Sequence, residues 1–383
     1  MLTSGISFVN FNKKNKSLRL GRNLQSIIND KNEILNSLSN NYRDSYKKNF
    51  VNKYKVFSNY RVIGMGGSIL GTRTIYEFLK HKIKKNFLFI DNLQNTLSQS
   101  KKKTVNIIVS KSGNTIETIA NSNIILKKNN KNIFVTENKK NYLYRLAENL
   151  KGEIVHHNNY IGGRYSVLSE VGMLPAQLIG LNDRKFKNLN NLIKNKIFLN
   201  ELINNVSFIS KFILEGKKNS VILNYDESSD NLFKWYQQLT AESLGKKNKG
   251  IFPIISSMPK DNHSLLQLYL DGPKNNFFTF FGVMKQKSVK LKGNNLFGNF
   301  SNLKDKNLNQ ITQAQRIATK IVFKRKKIPF RSFEIIKRSE ECIGELFTFF
   351  VLETILLGRL MRVNPFDQPS VELIKTETSK VLN

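Results

Sequence analysis

Short apolar runs alternate along the chain with longer segments whose apolar residues recur at helical spacing. In the first part, "YRVIGMG" reads as a strand, "SILGTRTIYEFLK" as a helix, "NFLFID" and "VNIIVS" as strands, "TIETIANSNIIL" as a helix and "NIFVTE" as a strand. The strand runs are continuously apolar, as strands buried on both faces are, so a parallel sheet between helices is expected. A helical region from Ser166 to about Glu215 leads to a second series: "SVILNY" strand, "LFKWYQQLTAESLG" helix, "GIFPIIS" strand, "SLLQLYL" helix, "NFFTFFGVM" strand. Residues 307 to 326 then read as helix, "IPFRSFEI" as strand and residues 340 to 362 as a long helix. Two α/β units of similar plan suggest an internal duplication, although no repeat aligns between them. Residues 1–47 alternate basic loops with one modest helix, "RNLQSIINDKNEILNSL", and carry no site signal. The expected division is therefore 1–47 as an N-terminal helical and basic segment, 48–185 as a first domain and 186–383 as a second with a C-terminal helix. Ligands of such sheets bind at the carboxyl ends of the strands. The site is expected between the units.

Composition changes this picture little. A chain of 383 residues, 40% hydrophobic, suits two domains with ample core. The stretch "LFTFFVLETILLGRLM" is interrupted by Glu353 and is too short for a clean membrane span, so it reads as a buried helix. No charged, apolar, small-residue leader opens the chain, and a cytoplasmic protein without a membrane partner is expected. One cysteine, Cys342, allows no internal disulfide and fits a reducing compartment. The histidines are His81, His156, His157 and His263; none has the spacing of a metal pair, and no metal is expected. The net charge of +34 invites a nucleic-acid reading, but the lysines are scattered in runs such as "NKKNK", "SQSKKK" and "KKNNKN" without interleaved aromatics. They read as solvated surface, without a specific nucleic-acid partner.

The chemistry lies in the turns. "VSKSGNTIETI", residues 109 to 119, crowds Ser110, Ser112, Thr115 and Thr118 where a strand turns into a helix. Such hydroxyls either cap the helix or, with its unpaired N–H groups, make a donor-rich cradle for phosphate. "IGMGGSILG", residues 63 to 71, is a second such turn, in which Gly64, Gly66 and Gly67 admit a ligand close to the backbone and Ser68 caps or donates. It fails as a dinucleotide fingerprint, because the third glycine would fall on Ile69. Two hydroxyl-rich turns fit one small phosphate monoester. "GGRYSVLSEVGMLPAQLIG" places Arg164 after paired glycines, and "WYQQLTAESLGK" puts Gln238 and Glu242 on one helical face. "DNHSLLQL" contains His263 beside a helix start, and "NPFDQPSVELIKTET" carries Gln368 and Lys375 seven residues apart.

Taken in order, "IGMGGS", "SKSGNTIET", "GGRYSV", "QQLTAESLGK", "DNHS" and "FDQPSVELIK" resemble the motifs of the glucose-6-phosphate isomerase (phosphoglucose isomerase) family over about residues 55 to 380. The resemblance implies an α/β fold of two sugar isomerase (SIS) domains, each a three-layer α-β-α arrangement with a parallel sheet. It implies reversible interconversion of glucose 6-phosphate and fructose 6-phosphate through an enediol, in glycolysis and gluconeogenesis, with no cofactor. Gly67, Ser68, Ser110, Lys111 through its backbone, Ser112 and Thr115 would hold the sugar phosphate, with Gln238 and Gln368 also touching substrate. Glu242 would be the base, Arg164 would stabilise the enediolate, His263 would open the ring and Lys375 would assist it. A homodimer in which His263 completes the partner's site is likewise implied. The chain departs from the family pattern at Ser112-Gly113-Asn114, commonly Thr-Phe-Thr, at Leu244, commonly Asn, and at Ser370 and Ile374, commonly Gly; its ends are also shorter. The alternatives are a dual isomerase that also takes mannose 6-phosphate and a non-catalytic sugar-phosphate sensor.

Overall fold

A computed structural model describes residues 1–11, 18–30, 32–93, 103–293, 296 and 298–382. The lysine runs at 12–16 and 98–102 lie outside these residues. In chain order the strands are β1 (Ile6–Val9), β2 (Asn59–Ile63), β3 (Asn86–Ile90), β4 (Thr104–Val109), β5 (Lys131–Thr136), β6 (Glu153–His156), β7 (Asn219–Asn224), β8 (Phe252–Ser257), β9 (Asn276–Val283) and β10 (Phe330–Ile335). The helices are α1 (Leu18–Asn29), α2 (Glu33–Ser37), α3 (Lys48–Lys55), α4 (Leu70–Phe78), α5 (Ile116–Ile125), α6 (Tyr142–Leu150), α7 (Glu170–Leu178), α8 (Leu189–Leu192), α9 (Lys196–Leu214), α10 (Asp230–Leu244), α11 (Leu266–Asp271), α12 (Leu308–Arg325), α13 (Glu340–Met361) and α14 (Pro369–Leu382).

The strands form two five-stranded sheets, ordered β3-β2-β4-β5-β6 and β8-β7-β9-β10-β1. In each sheet the first strand of the unit lies between the second and the third, and the fourth follows the third. The expected duplication is thus visible in the topology although the sequences do not align. The first sheet is wholly parallel, and its inner strands β2, β4 and β5 are buried nearly end to end, as in "TVNIIV" of β4. The second is parallel except at one edge, where β1 pairs antiparallel with β10, Ile6 opposite Ile335. This strand is the main departure from the sequence-based expectation: the N-terminal segment contributes to the second sheet and covers its edge. The single helix expected between residues 22 and 38 is instead two, α1 and α2, with Asn32 capping the second by accepting from the Ile34 N–H at 2.8 Å.

The units meet through α4, α10 and α13, since α10 packs on both α4 and α13. Trp235 of α10 is fully buried, stacks edge-on against Phe347 of α13, and donates to the Arg164 carbonyl at 3.1 Å. The long apolar stretch around Glu353 is buried in α13 as expected. By length and composition α9 could cross a bilayer, but here its Phe198, Leu202, Val206, Ile209 and Phe212 are buried inside the fold.

Glu353 is tolerated in this apolar setting because it pairs with Arg331 of β10, both side chains fully buried. Arg331 also donates to Asn205 Oδ1 at 2.8 Å and Thr279 Oγ1 at 2.9 Å, while Tyr236 OH donates to Glu353 Oε1 at 2.8 Å. The cluster joins α9, α10, α13, β9 and β10. Removing one partner of such a pair leaves a buried charge uncompensated, whereas replacing both with apolar groups removes the desolvation cost as well. Glu353→Ala is therefore expected to lose roughly 3–5 kcal/mol of stability in urea unfolding, and the double substitution Arg331→Met with Glu353→Leu markedly less. A double variant as unstable as Glu353→Ala would show that packing, not the orphaned charge, sets the cost.

Candidate functional site

Both hydroxyl-rich turns leave the carboxyl ends of first-sheet strands: Gly64–Ser68 follows β2 and Ser110–Thr115 follows β4. Gly66 is left-handed, with φ +51°, and a Cβ there would sit 2.8 Å from Gln238 Nε2. At Gly67 a Cβ would lie 2.2 Å from the Gly163 carbonyl carbon and 2.4 Å from the Arg164 nitrogen, so the β2 turn and the turn that begins at Gly163 touch backbone to backbone. In the second turn Gly113 is also left-handed, φ +67°, and presses on Asn141.

The choice between capping and ligand binding is decided by where the hydroxyls point. Helix α5 begins at Ile116 with Thr115 at its N-cap, and no side chain there caps a backbone N–H. Ser110, 2% exposed, shares a hydrogen bond with Thr115 Oγ1 at 2.9 Å. Ser112 Oγ only accepts a long bond from the Asn114 N–H, 3.3 Å. Helix α4 begins after Ile69 with no side-chain cap, so Ser68 does not cap it either. The hydroxyls line a cleft of about 440 Å³.

Opposite them stands the first turn's neighbour, Arg164, in a 3₁₀ turn from Gly163 to Leu168 that precedes α7 rather than starting it. Its side chain is 1% exposed, and every branch of the guanidinium is held. Nε donates to Ser243 Oγ at 2.8 Å, Nη1 to Glu242 Oε2 at 3.2 Å and to Gln368 Oε1, and Nη2 to the carbonyls of Pro365 and Asp367 at 2.8 and 2.9 Å. Glu242 keeps 27% of its side chain exposed toward the cleft and accepts from Gln238 Nε2 at 2.8 Å, one helical turn back on α10. Lys375, on α14, donates to Glu372 Oε1 at 2.6 Å. Lys111 Nζ donates to the Asn159 carbonyl at 2.7 Å, with Glu137 Oε1, also on the cleft wall, at 3.6 Å.

The cleft therefore gathers Gly67, Ser68, Ser110, Lys111, Ser112, Thr115, Arg164, Gln238, Glu242, Gln368 and Lys375. It does not gather His263, which is exposed beyond β8 in the turn after Met258-Pro259. Sequence reasoning missed four residues here. Ser243 and Tyr165 position Arg164, Tyr165 OH meeting Ser243 Oγ and the Pro365 carbonyl, each at 2.9 Å. Asp367 pairs with Lys246 at 2.7 Å, and that hydrogen bond holds its carboxyl below the usual range. Glu372 is the one a spacing rule could have found, three residues before Lys375 on one helix. Among the described residues no group of three or more His, Cys, Asp or Glu side chains is placed to hold a metal. The arrangement offers neutral donors for an anion on one wall, and on the other a carboxylate beside a fixed guanidinium.

Because the Gly67 contacts are backbone atoms, no rotamer relieves them. Gly67→Ala is expected to cost roughly 1–3 kcal/mol in urea unfolding, as overpacking does. Gly21→Ala, mid-helix with nothing near its Cβ, should be neutral or stabilising by about 0.5–1 kcal/mol. Equal midpoints for the two variants would mean the turns are free to part.

A family model described as phosphoglucose isomerase matches residues 10–383. The glucose-6-phosphate isomerase of Methanocaldococcus jannaschii is 33% identical over 357 residues, covering 86% of each chain. Among solved structures, a hypothetical protein from Thermus thermophilus superposes with a TM-score of 0.82 at 25% identity, covering 95% of this chain and 94% of the other. A glucose-6-phosphate isomerase from Chlamydia trachomatis superposes with a TM-score of 0.73 at 17% identity, over 99% and 89%, a likeness of fold.

Proposed function

The chain belongs to the phosphoglucose isomerase family, and from that premise we propose that it interconverts glucose 6-phosphate and fructose 6-phosphate. The observation that carries this reading is the pairing of Glu242 and Arg164 across one cleft from two uncapped hydroxyl turns. The phosphate sits against Ser68, Ser110, Ser112, Thr115 and the Lys111 backbone, where helix-start N–H groups and hydroxyls donate without a competing charge. That places the sugar carbons toward α10. Glu242 takes the proton from C2 of the open-chain aldose, the C–H electron pair forms the C1=C2 bond, and the carbonyl π pair moves onto the C1 oxygen. The C2 hydroxyl proton passes to the C1 oxygen, the C2 oxygen pair forms the C2=O bond, and the C1=C2 pair takes the proton back from Glu242 at C1. Arg164, fixed by Ser243 and two carbonyls, stabilises the growing oxygen charge through its positive charge at a set position. Gln238 and Gln368 flank the carbon chain, and Lys375 assists ring opening. No cofactor enters this scheme. Cytoplasmic residence fits the single, buried Cys342.

His263 remains outside its own cleft, and we assign it to a second copy of the chain: a homodimer in which His263 completes the partner's site and opens the ring. A mixture of inactive His263→Ala and Glu242→Gln parents should regain activity on subunit exchange. Verified heterodimers without recovery would remove the shared site.

For the base itself, Glu242→Gln preserves size and removes the proton acceptor. It is expected to lower kcat roughly 10²- to 10⁴-fold with a much smaller change in KM, and to abolish deuterium incorporation from deuterated water. Ser110→Ala should raise KM more than it lowers kcat. Coupled steady-state assays with glucose 6-phosphate, fructose 6-phosphate and mannose 6-phosphate read both, and near-native kcat in Glu242→Gln would show that another group moves the proton.

A further inference from the structure

Glu137 puts a second carboxylate on the wall of the cleft, beside the hydroxyl turn that follows β4, and the proton transfers do not use it. It comes directly after β5, the neighbour of β4 in the first sheet. Its backbone N–H donates to the Lys111 carbonyl at 3.1 Å, and Thr136 Oγ1 donates to the same carbonyl at 3.3 Å. The side chain turns to the same residue. Glu137 Oε1 lies 3.6 Å from Lys111 Nζ, which also donates to the Asn159 carbonyl at 2.7 Å. Oε2 lies 3.4 Å from Lys139 Nζ, but the Lys139 side chain is 70% exposed and screened by water. The Glu137 side chain is only 14% exposed, so its charge acts on Lys111 with little solvent between them.

A carboxylate beside a phosphate cradle repels the ligand unless a cation cancels it, and here the cation comes from the cradle itself. A lysine whose backbone N–H holds a phosphate can also bring its ammonium to that phosphate, a common mode of phosphate binding. In this chain Glu137 and the Asn159 carbonyl engage the ammonium instead. The chemistry gives a reason. Substrate and product of an isomerisation carry the same phosphate, so contacts to it are made equally in every state; they lower KM without raising kcat, and they slow release. We propose that Glu137 limits the affinity of the cradle for phosphate: paired with the Lys111 ammonium, it keeps that charge from the anion, which is held by neutral donors alone. The inference rests on the isomerase reading for the sugar phosphate as ligand, but its test needs no turnover.

The measurement is calorimetric titration of the full chain with inorganic phosphate, at a pH where the dianion dominates. Glu137→Gln keeps the size of the side chain and leaves the backbone bond to Lys111 in place. It is expected to tighten phosphate roughly tenfold, the worth of one charge-assisted hydrogen bond, and to make binding fall more steeply with salt. Glu137→Asp, which keeps the charge, should stay close to native. Adding Lys111→Met to Glu137→Gln should remove the gain, and adding Ser110→Ala should weaken binding, which locates the anion in the cradle and not elsewhere on the lysine-rich surface. A Glu137→Gln variant that binds phosphate no tighter than the native chain overturns the proposal, as does a gain that survives Lys111→Met or appears equally in Glu137→Asp. Where native binding still depends on Ser110, any of these results leaves the isomerase reading standing. Phosphate binding indifferent to Ser110→Ala in the native chain removes the cradle, and both readings with it.

Discussion

The buried guanidinium of Arg164 is the contact on which the site's geometry depends. It belongs to the first unit, yet its partners are Ser243 and Glu242 of α10, in the second unit, and the 365–368 segment that leads to α14. A guanidinium taken out of water demands nearly all its donors be met, and its planar fork fixes the directions in which they are met. Three separate parts of the chain are thereby registered against one rigid group. The backbone contact of Gly67 with Gly163 extends that registration to the β2 turn, so the hydroxyl wall and the carboxylate wall are spaced by one continuous set of contacts.

The duplicated topology places two equivalent turns in the molecule, and only one is free to take an anion. After β2 the chain runs through glycines and Ser68. After β7, the matching strand of the second sheet, it meets Asp226, 4% exposed, whose carboxylate accepts from Ser229 Oγ at 2.6 Å and from Arg338. Burial raises this carboxyl, and Arg338 is its compensating charge. The second turn is therefore filled from within, and a phosphate there would face a carboxylate. The second unit contributes α10 to the cleft instead. One half of the duplication supplies the hydroxyl turns, the other the carboxylate.

Much of this was legible in the sequence because it is local. Continuous apolar runs mark β2, β4 and β7; four-residue spacing marks Gln238 and Glu242; glycines mark the tight turns. What escaped is non-local. Strand β1 is four residues, "ISFV", whose partner β10 lies more than 300 positions later, so nothing nearby distinguishes it from a loop. Glu353 announced itself as a charge inside an apolar helix, but its partner Arg331 sits on a strand with no pattern linking the two. Arg164 stood out only by its glycines; its contacts are 78 to 204 residues away, beyond any spacing rule. The capping ambiguity at Ser110 and Ser112 was real in the sequence, since both outcomes use the same residue types.

The same non-local contact governs the last element. No residue of α14 is buried, and Leu373, Ile374 and Val381 are all exposed, so the helix has no apolar face anchoring it to its own chain. Its position relative to the cleft is set at its start, where Arg164 grips the Pro365 and Asp367 carbonyls and Gln368, and where Lys246 pairs with Asp367. Lys375 is two turns further along that helix, its ammonium steadied by Glu372. Arg164 thus determines where Lys375 lies as well as where Glu242 lies. A loosened guanidinium would displace both walls of the cleft together, which is why its burial, and not its charge alone, is the feature that organises the site.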